Sequence, residues 1–518
     1  MQDPRLHSLL YSNEPPESPD APAIQSAMSD IDQRISALDL EISGLQSRLG
    51  ELQEARSALI RSREQYKVIL SPLRRLPTET LGEIFVQTIP SMRDLDKWNG
   101  FGMNQSPWVL THVCSRWREI AISLPSLWSL IYVDQRYPLA AAETQVQRAK
   151  TLRVHIHGRI GYDLEPISET RILEYLISHS ARWEEFSIEM TDDFDILLPT
   201  LRDQVPLLRR LSLEWDEDLY IADPEDSIDY FETATSLVDL RLRHRGNPIS
   251  FSPPLQQLTR YHVDAPWETH QQILSVSPAL VEAHISVAHG WEWSGTEKIE
   301  LRHLQCLYVS WTEIVQSLHV PVLEQVTFHL CSTDNELSLG FDEFMAVTSV
   351  TVRRLGLRGL PQADVAQAIM DGYPSVTELA ILISGGDDYH FDDEDSNEVD
   401  SETEEHALIP DSLISLLDFS FSRDRLPHLT HLHLAFEDEL PLDYEVYAGM
   451  LGSRWTDDHH LALRVATLQM SSWAPHKPSP DVRHKFDVLR RSGLYFSMDY
   501  DGHVLDRLGS WLCQPTWC

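Results

Sequence analysis

A short apolar motif recurs between residues 183 and 468 and restricts the fold more than any other feature of the sequence. In its full form it has a proline, an apolar residue two positions later, and further apolar residues five and seven positions after the proline. Five copies keep the proline and begin at Pro206, Pro278, Pro321, Pro374 and Pro427. Five others lack it and end at Ile188, Leu242, Val309, Leu357 and Leu468. Most copies lie 19 to 29 residues apart, so the motif marks a structural unit that is repeated along the chain.

Each copy predicts a short strand followed by a helix. The last two apolar residues, Leu211 and Leu213 in one copy, alternate as the inward-facing residues of a strand do. Helical stretches such as Arg171–Ala181 and Asp364–Gly372 lie between the copies. One strand and one helix cannot bury their own apolar faces, whereas stacked copies can. The pattern resembles degenerate leucine-rich repeats and predicts an α/β solenoid over residues 134–510; a non-repetitive α/β domain is the alternative.

Two stretches are too polar to contribute to a core. Residues 1–23 are rich in proline and small polar residues, which predicts a disordered N-terminus. Eleven of the nineteen residues from 387 to 405 are acidic, so this run repels itself and predicts a disordered insert at 385–410.

The region between these N-terminal residues and residue 70 predicts one long helix. Isoleucine and leucine recur at alternate steps of four and three from Ile31 to Leu52, and Leu59 continues the series. This heptad spacing predicts a coiled coil over residues 24–69 that pairs two copies of the chain through residues 31–59. The alternative is a single helix that folds back on the next module.

Two short apolar segments follow this helix. In the first, Leu81, Ile84 and Phe85 recur at helical spacing. In the second, residues 110–121 show the same spacing, and Pro125 ends the helix. The two segments therefore predict a pair of short amphipathic helices.

The order of residues in these segments is Leu-Pro, Ile-Phe, Val-Cys-x-x-Trp-x-x-Ile and Pro-x-Leu-Trp. It resembles the F-box, in the F-box-like form expanded in fungi, over residues 70–133. The resemblance implies a helical module that docks on a Skp-type adaptor and through it on a cullin–RING ubiquitin ligase. It assigns adaptor binding to Leu76, Pro77, Leu81, Ile84, Phe85, Val113, Cys114, Trp117 and Ile120. The stretch from residue 89 to residue 107 is longer than a compact F-box needs, and an ordinary helical hairpin is the alternative.

Charge and cysteine content narrow the classes of partner. The chain has 42 Lys and Arg against 80 Asp and Glu, a net charge of −38, which disfavours nucleic acid and anionic membrane surfaces. Five scattered cysteines without a Cys-x-x-Cys pair predict neither a zinc site nor a disulfide framework. The N-terminus lacks the apolar segment of a secretory signal, and no apolar run is long enough to span a bilayer. We expect a cytoplasmic or nuclear protein without a cofactor.

Enzyme motifs are absent from the sequence. It contains no nucleotide-binding glycine motif, no His-Glu-x-x-His and no Gly-x-Ser-x-Gly, so we do not expect an enzyme. His428, His431 and His433 suggest a metal site, but a full ligand set is missing from the pattern. Solvent-facing strand histidines are the favoured interpretation.

A leucine-rich solenoid exposes the residues between and just after its strand leucines on one face. In this chain those positions hold the basic residues Arg210, Arg241, Arg243, His329 and Arg358. Paired guanidinium donors suit a phosphate or carboxylate, so Arg210, Arg241 and Arg243 predict binding of an acidic or phosphorylated segment of a protein substrate. The alternative is that they neutralise neighbouring acids such as Glu214 and Asp239.

These features together predict a substrate-recognition subunit of an SCF-type ubiquitin ligase, which holds an unknown protein substrate while other subunits deliver ubiquitin. One alternative is a solenoid scaffold whose F-box is degenerate and recruits no ligase. Another is a hydrolase-like or transferase-like α/β domain within residues 130–510. A single sheet with crossing strand order would indicate that domain.

Overall fold

The chain forms two compact units, Met1–Glu83 and Ile84–Cys518, in the computed structural model. Besides residues 15, 18 and 102, the structure describes residues 20–90, 104–133, 137–156, 167–190, 197–202, 204–215, 227–228, 230–243, 250–251, 254–287, 298–330, 339–359, 362–383, 411–421, 424–436, 442–455, 463–470 and 477–499. The acidic segment at 385–410 and residues 1–14 lie outside this part of the chain, so the disorder predicted for them stays a prediction.

The N-terminal unit consists largely of one helix. Helix α1 spans Asp20–Ile69, 50 residues, and a 3₁₀ turn at Pro72–Arg75 follows it. The helix begins at Asp20, so the last four residues predicted to be disordered are helical. The physical reason is that Asp20 suits the positive end of the helix dipole and that a proline in the first turn loses no hydrogen bond.

Three short helices follow. Helix α2 spans Thr78–Val86, α3 spans Leu110–Val113 and α4 spans Ser115–Ser123. The predicted second helix is therefore two helices, because Cys114 adopts an extended backbone conformation with φ −162° and ψ 171°. A 3₁₀ turn at Pro125–Trp128 connects α4 to the sheet.

The second unit is built on one open sheet of fourteen parallel strands. In chain order these are β1 Leu130–Val133, β2 Leu152–Ile156, β3 Trp183–Met190, β4 Arg210–Trp215, β5 Asp239–Arg243, β6 Arg260–Asp264, β7 Glu282–Ser286, β8 Cys306–Val309, β9 Gln325–Leu330, β10 Arg354–Gly359, β11 Glu378–Ile383, β12 His431–Phe436, β13 Val465–Met470 and β14 Tyr495–Asp499. Each strand pairs with the strand before it in this order, without a crossover that reverses the order. Two further pairs of two-residue strands join Ser227–Ile228 to Ser250–Phe251, and Ile299–Glu300 to Leu318–His319.

The repeated motif sets the register of this sheet. Leu211 of β4 lies opposite Leu240 of β5, and Leu213 lies opposite Leu242. All four side chains are buried. The same two positions align from strand to strand, so they form two rows of buried apolar side chains along the sheet. All ten predicted motif copies are strands, and the predicted α/β class is confirmed.

Helices and turns connect the strands and close the core over these two rows. The longer connections are α5 Leu139–Arg148, α6 Ile167–Ile177, α7 Trp267–Ser275, α8 Leu339–Thr348, α9 Ala363–Gly372, α10 at residues 411–417, α11 Tyr444–Arg454 and α12 Pro480–Arg491. Other connections are 3₁₀ turns at Ser180–Arg182, Leu198–Leu201 and Thr312–Ser317. One contact across this core joins Phe328 of β9 to Phe341 of α8, with ring centroids 5.2 Å apart. Among the described helices, none is both long and apolar enough to cross a lipid bilayer.

Candidate functional site

Within the sheet-bearing unit, which begins at Ile84, the residues before the sheet pack around aromatic side chains. Phe85 is buried, and its ring centroid lies 4.8 Å from that of Trp117 in α4. The indole of Trp128 is also buried and donates a hydrogen bond of 2.8 Å to the carbonyl oxygen of Ala121. Trp128 lies two residues before β1, so these contacts fix α4 beside the first strand of the sheet.

The nine residues assigned to adaptor binding divide by exposure. Leu81, Phe85 and Ile120 are buried. Leu76 and Trp117 are half-buried, and Pro77 and Cys114 are exposed. Ile84 and Val113 are 44% and 55% exposed. A buried residue cannot reach a partner without unfolding, so Leu81, Phe85 and Ile120 serve packing, whereas Ile84 and Val113 are available for contact.

Helix α4 also has a buried face and an exposed face. Its inner face carries Trp117, Ile120 and Ala121, of which the last two are buried. Its outer face carries Arg118, Glu119 and Ile122, all exposed. The helix thus has one face committed to the fold and another that presents an apolar residue between charged neighbours.

The sheet offers a second candidate surface. Along each strand, residues that alternate with the two buried rows form what we call the polar strand face. In β3 to β7 the first position of this face holds Glu185, Arg210, Asp239, Arg260 and Glu282, so the sign of the charge alternates from strand to strand. Arg153 of β2 and Glu185 pair in register and extend the alternation by one strand.

Ion pairs connect this charged row. Arg210 Nη1 lies 2.8 Å from Glu185 Oε1, and its Nε lies 3.0 Å from Asp239 Oδ2. The guanidinium of Arg260 lies 3.9 Å from Asp239 and 3.5 Å from Glu282. The row therefore carries almost no net charge, and each arginine is held between two carboxylates from adjacent strands.

The pKa values of two acids in this row shift in opposite directions. Burial raises the pKa of Asp239, and Arg260 and Arg210 offset only part of the effect. Burial also acts to raise the pKa of Glu185, but His155 and the guanidiniums of Arg153 and Arg210 outweigh it and leave the pKa below its usual value. Of these two acids, Asp239 is therefore the one whose pKa lies above its ordinary value.

The middle position of the polar strand face is richer in nitrogen donors. Arg241, His262, His284 and Tyr308 occupy it on four consecutive strands, β5 to β8. The rings of His262 and His284 are 5.2 Å apart, and those of His284 and Tyr308 are 5.7 Å apart. Burial holds the pKa of His262 well below its usual range, and Arg241 and His284 lower it further. Within the described residues, Arg241 Nε and His262 Nδ1 have no hydrogen-bond partner.

The five residues predicted to bind substrate fall into two groups. Arg210, Arg241 and Arg243 lie together on β4 and β5. Arg241 lies 3.9 Å from Glu214, to which Arg243 also forms an ion pair. His329 and Arg358 lie opposite each other on β9 and β10. Four strand spacings of about 4.8 Å separate the groups, so the five residues do not form one compact site.

Several members of this surface are not predicted by the repeated motif. His155, His262 and Arg260 occupy strands β2 and β6, which lie outside the ten motif copies. The signal was present for β6, since Leu258, Tyr261 and Val263 keep the motif spacing with tyrosine in place of leucine.

The histidines near β12 lie on the same face. His433 Nδ1 lies 2.8 Å from the hydroxyl of Thr467, and the rings of His431 and His433 stack with centroids 6.5 Å apart. Burial and the neighbouring His431 lower the pKa of His433. The described residues contain no group of three or more His, Cys, Asp or Glu side chains arranged to hold a metal ion.

Comparison with known proteins adds no family to this description. No protein-family model matches the chain, and no curated protein matches it. The F-box-like assignment therefore depends on the motif residues and their placement alone.

Proposed function

We propose that the chain is the substrate-recognition subunit of an SCF-type, cullin–RING ubiquitin ligase. In this proposal the F-box-like residues dock on a Skp-type adaptor, and the polar strand face holds a protein substrate. In this proposal the chain acts by proximity: it raises the local concentration of substrate around the subunits that transfer ubiquitin.

The observation that carries the proposal is that some motif residues are buried and others are exposed to solvent. Phe85 and Ile120 pack the short helices, while Ile84 and Val113 keep aliphatic side chains in solvent. Exposed aliphatic residues at motif positions are what a helical docking module needs, because desolvated apolar anchors dominate the affinity of such interfaces.

Substrate binding is proposed on the same strand face. Arg241 and Arg243 are partly exposed and share Glu214 as their acidic neighbour. A carboxylate or phosphate of a substrate can replace Glu214 as their partner. His329 and Arg358 form a second proposed contact further along the sheet. Arg210 is a weaker candidate, because two buried acids already occupy its guanidinium.

Co-purification with a Skp-type adaptor tests the proposal. We expect Ile84→Asp and Val113→Asp to abolish adaptor binding without loss of folding, because both side chains are exposed. Val350→Asp is the matched control, since Val350 is an exposed valine outside the motif. Leu76→Ala/Pro77→Ala is expected to weaken binding as well. Trp117→Ala is less informative, because it removes the ring contact with Phe85.

Two outcomes would contradict the proposal. Failure of the folded wild-type chain to bind any Skp-type adaptor would favour the scaffold with a degenerate F-box. Binding by Ile84→Asp and Val113→Asp at wild-type strength would show that the motif positions were assigned wrongly.

A further inference from the structure

The apolar seam of α1 is uncovered in the structure. It comprises Ile31, Ile35, Leu38, Ile42, Leu45, Leu49 and Leu52. Each of these side chains is 50–63% exposed, so the N-terminal unit by itself leaves the seam open. A continuous row of large aliphatic side chains in water indicates a surface that a partner covers.

The residue types in the seam specify the partner. With Ile31 at heptad position d, isoleucine occupies position a at Ile35 and Ile42, and leucine and arginine occupy it at Leu49 and Arg56. Leucine occupies position d at Leu38, Leu45 and Leu52. The pattern of isoleucine at a and leucine at d therefore holds in the heptads from Ile35 to Leu45. Isoleucine at a with leucine at d favours two parallel helices over trimers and tetramers. The seam is therefore complementary to a second copy of itself in the same orientation.

The flanking residues agree with a parallel arrangement in register. In such a pair, position g of one helix faces position e of the partner, five residues further along. Arg34 then faces Asp39 of the other copy, an attractive pair. The next two positions place Glu41 opposite a glutamine and Arg48 opposite a glutamine. From residue 34 to residue 53, no like charges face each other.

The residues that weaken the helix lie away from the seam. Gly44 and Gly50 occupy the outer positions c and b, and a β-carbon built at either would meet no atom within 4 Å. Leu40 is also on the outer face and is 76% exposed. These three positions can be substituted without a direct effect on seam packing, so Leu40 serves as the control and the two glycines test the effect of helix propensity.

We propose that two copies of the chain join through α1 as a parallel, in-register, two-stranded coiled coil. The assembly is isologous, because the same seam is used by both copies. It gives each particle two polar strand faces, so a substrate with two docking segments is held by both. This inference is independent of the adaptor: the dimer forms whether or not the short helices recruit a ligase.

Mass measurements on the full chain test the dimer. Light scattering and sedimentation over a range of concentrations should give twice the 59.4 kDa of one chain. Leu38→Glu/Leu45→Glu should raise the dissociation constant at least about a hundredfold, because it places charge in the apolar seam. Leu40→Glu should leave the dissociation constant within about threefold, because position f lies outside the seam. Gly44→Ala/Gly50→Ala should lower it about tenfold or more by favouring the helix.

Several results would overturn the proposal. These are a monomer at all concentrations, a trimer, or equal changes of the dissociation constant in the seam variant and in Leu40→Glu. Orientation is tested by oxidative cross-linking, with the oxidised wild-type chain as background. Met28→Cys chains should cross-link to each other, because in a parallel pair the two copies of residue 28 face each other. Cross-linking of Met28→Cys only to Leu59→Cys chains would show an antiparallel pair and would refute the assignment.

Discussion

Mild acid should destabilise the sheet-bearing unit through one buried histidine. His270 of α7 is fully buried. Its Nε2 lies 2.9 Å from the carbonyl oxygen of Ser286 and donates to it, and its Nδ1 accepts from the hydroxyl of Tyr261 at 2.7 Å. The neutral ring therefore satisfies both contacts, whereas the charged ring has lost its acceptor. Burial lowers the pKa of His270 from 6.5 to about 4.

The sign and size of the effect follow from this shift. A group whose pKa is lowered by folding stabilises the fold above its unfolded pKa, and that stability is lost as the pH falls towards the folded pKa. The relevant window extends from the unfolded value of 6.5 down to about 4. At about 1.4 kcal/mol for each pH unit, the loss in unfolding free energy is about 3 kcal/mol.

Urea unfolding between pH 7 and pH 4, followed by tryptophan fluorescence, measures this loss. His270→Gln should lower stability near neutral pH and should reduce the proton uptake on unfolding by about one. His303→Gln is the control, because His303 is exposed. His155 and His262 also have pKa values lowered by burial, but both variants retain them, so the comparison isolates His270. If the free energy of unfolding of His270→Gln depended on pH as that of the wild-type chain does, the role assigned to His270 would be refuted.

Two further substitutions test the packing of the sheet. Arg210→Ala should cost about 3–5 kcal/mol, because it leaves Glu185 and Asp239, whose side chains are 13% and 6% exposed, without their shared cation. Arg302→Ala, at an exposed ion pair with Glu300, should leave thermal stability nearly unchanged, and equal losses in thermal unfolding would contradict the buried role of Arg210. Gly359→Ala should cost about 1–3 kcal/mol, because φ is +98° and a β-carbon would lie 2.3 Å from the carbonyl oxygen of Leu330. An unchanged melting temperature for Gly359→Ala would show that the end of β10 relaxes freely.

The repeated motif was sufficient to predict the class of fold. Its apolar pairs are the inward-facing residues of strands, and their spacing forces neighbouring copies to stack. Four strands were not predicted: β6 keeps the spacing with tyrosine in place of leucine, whereas other strands depart from the motif. β2, for example, carries Leu152, Val154 and Ile156 in simple alternation, without the leucine three residues before the pair. Strand β1 lies within residues 70–133, for which the F-box resemblance implies a helical module.

The surfaces were harder to predict, because they depend on register and on backbone conformation. Arg210 finds its acids 25 and 29 residues away along the chain, and only the alignment of three strands brings them together. The exposure of Val113 depends on the extended backbone at Cys114, which interrupts an apolar spacing that continues across it. A sequence pattern identifies which residues are apolar, but it does not show which of them remain in solvent.

One junction of the sheet shows how tolerant this architecture is of added chain. The hydroxyl of Thr430 donates to the carbonyl oxygen of Thr377, 53 residues earlier, and β11 and β12 pair without a shift in register. Thr377 reaches back only 24 residues to the equivalent carbonyl of Arg353. Strand pairing here depends on local geometry and is indifferent to the length of the connection. The β11–β12 connection is therefore a natural insertion point, where an engineered reporter or binding domain can replace residues 387–405 without disturbing the strands on either side.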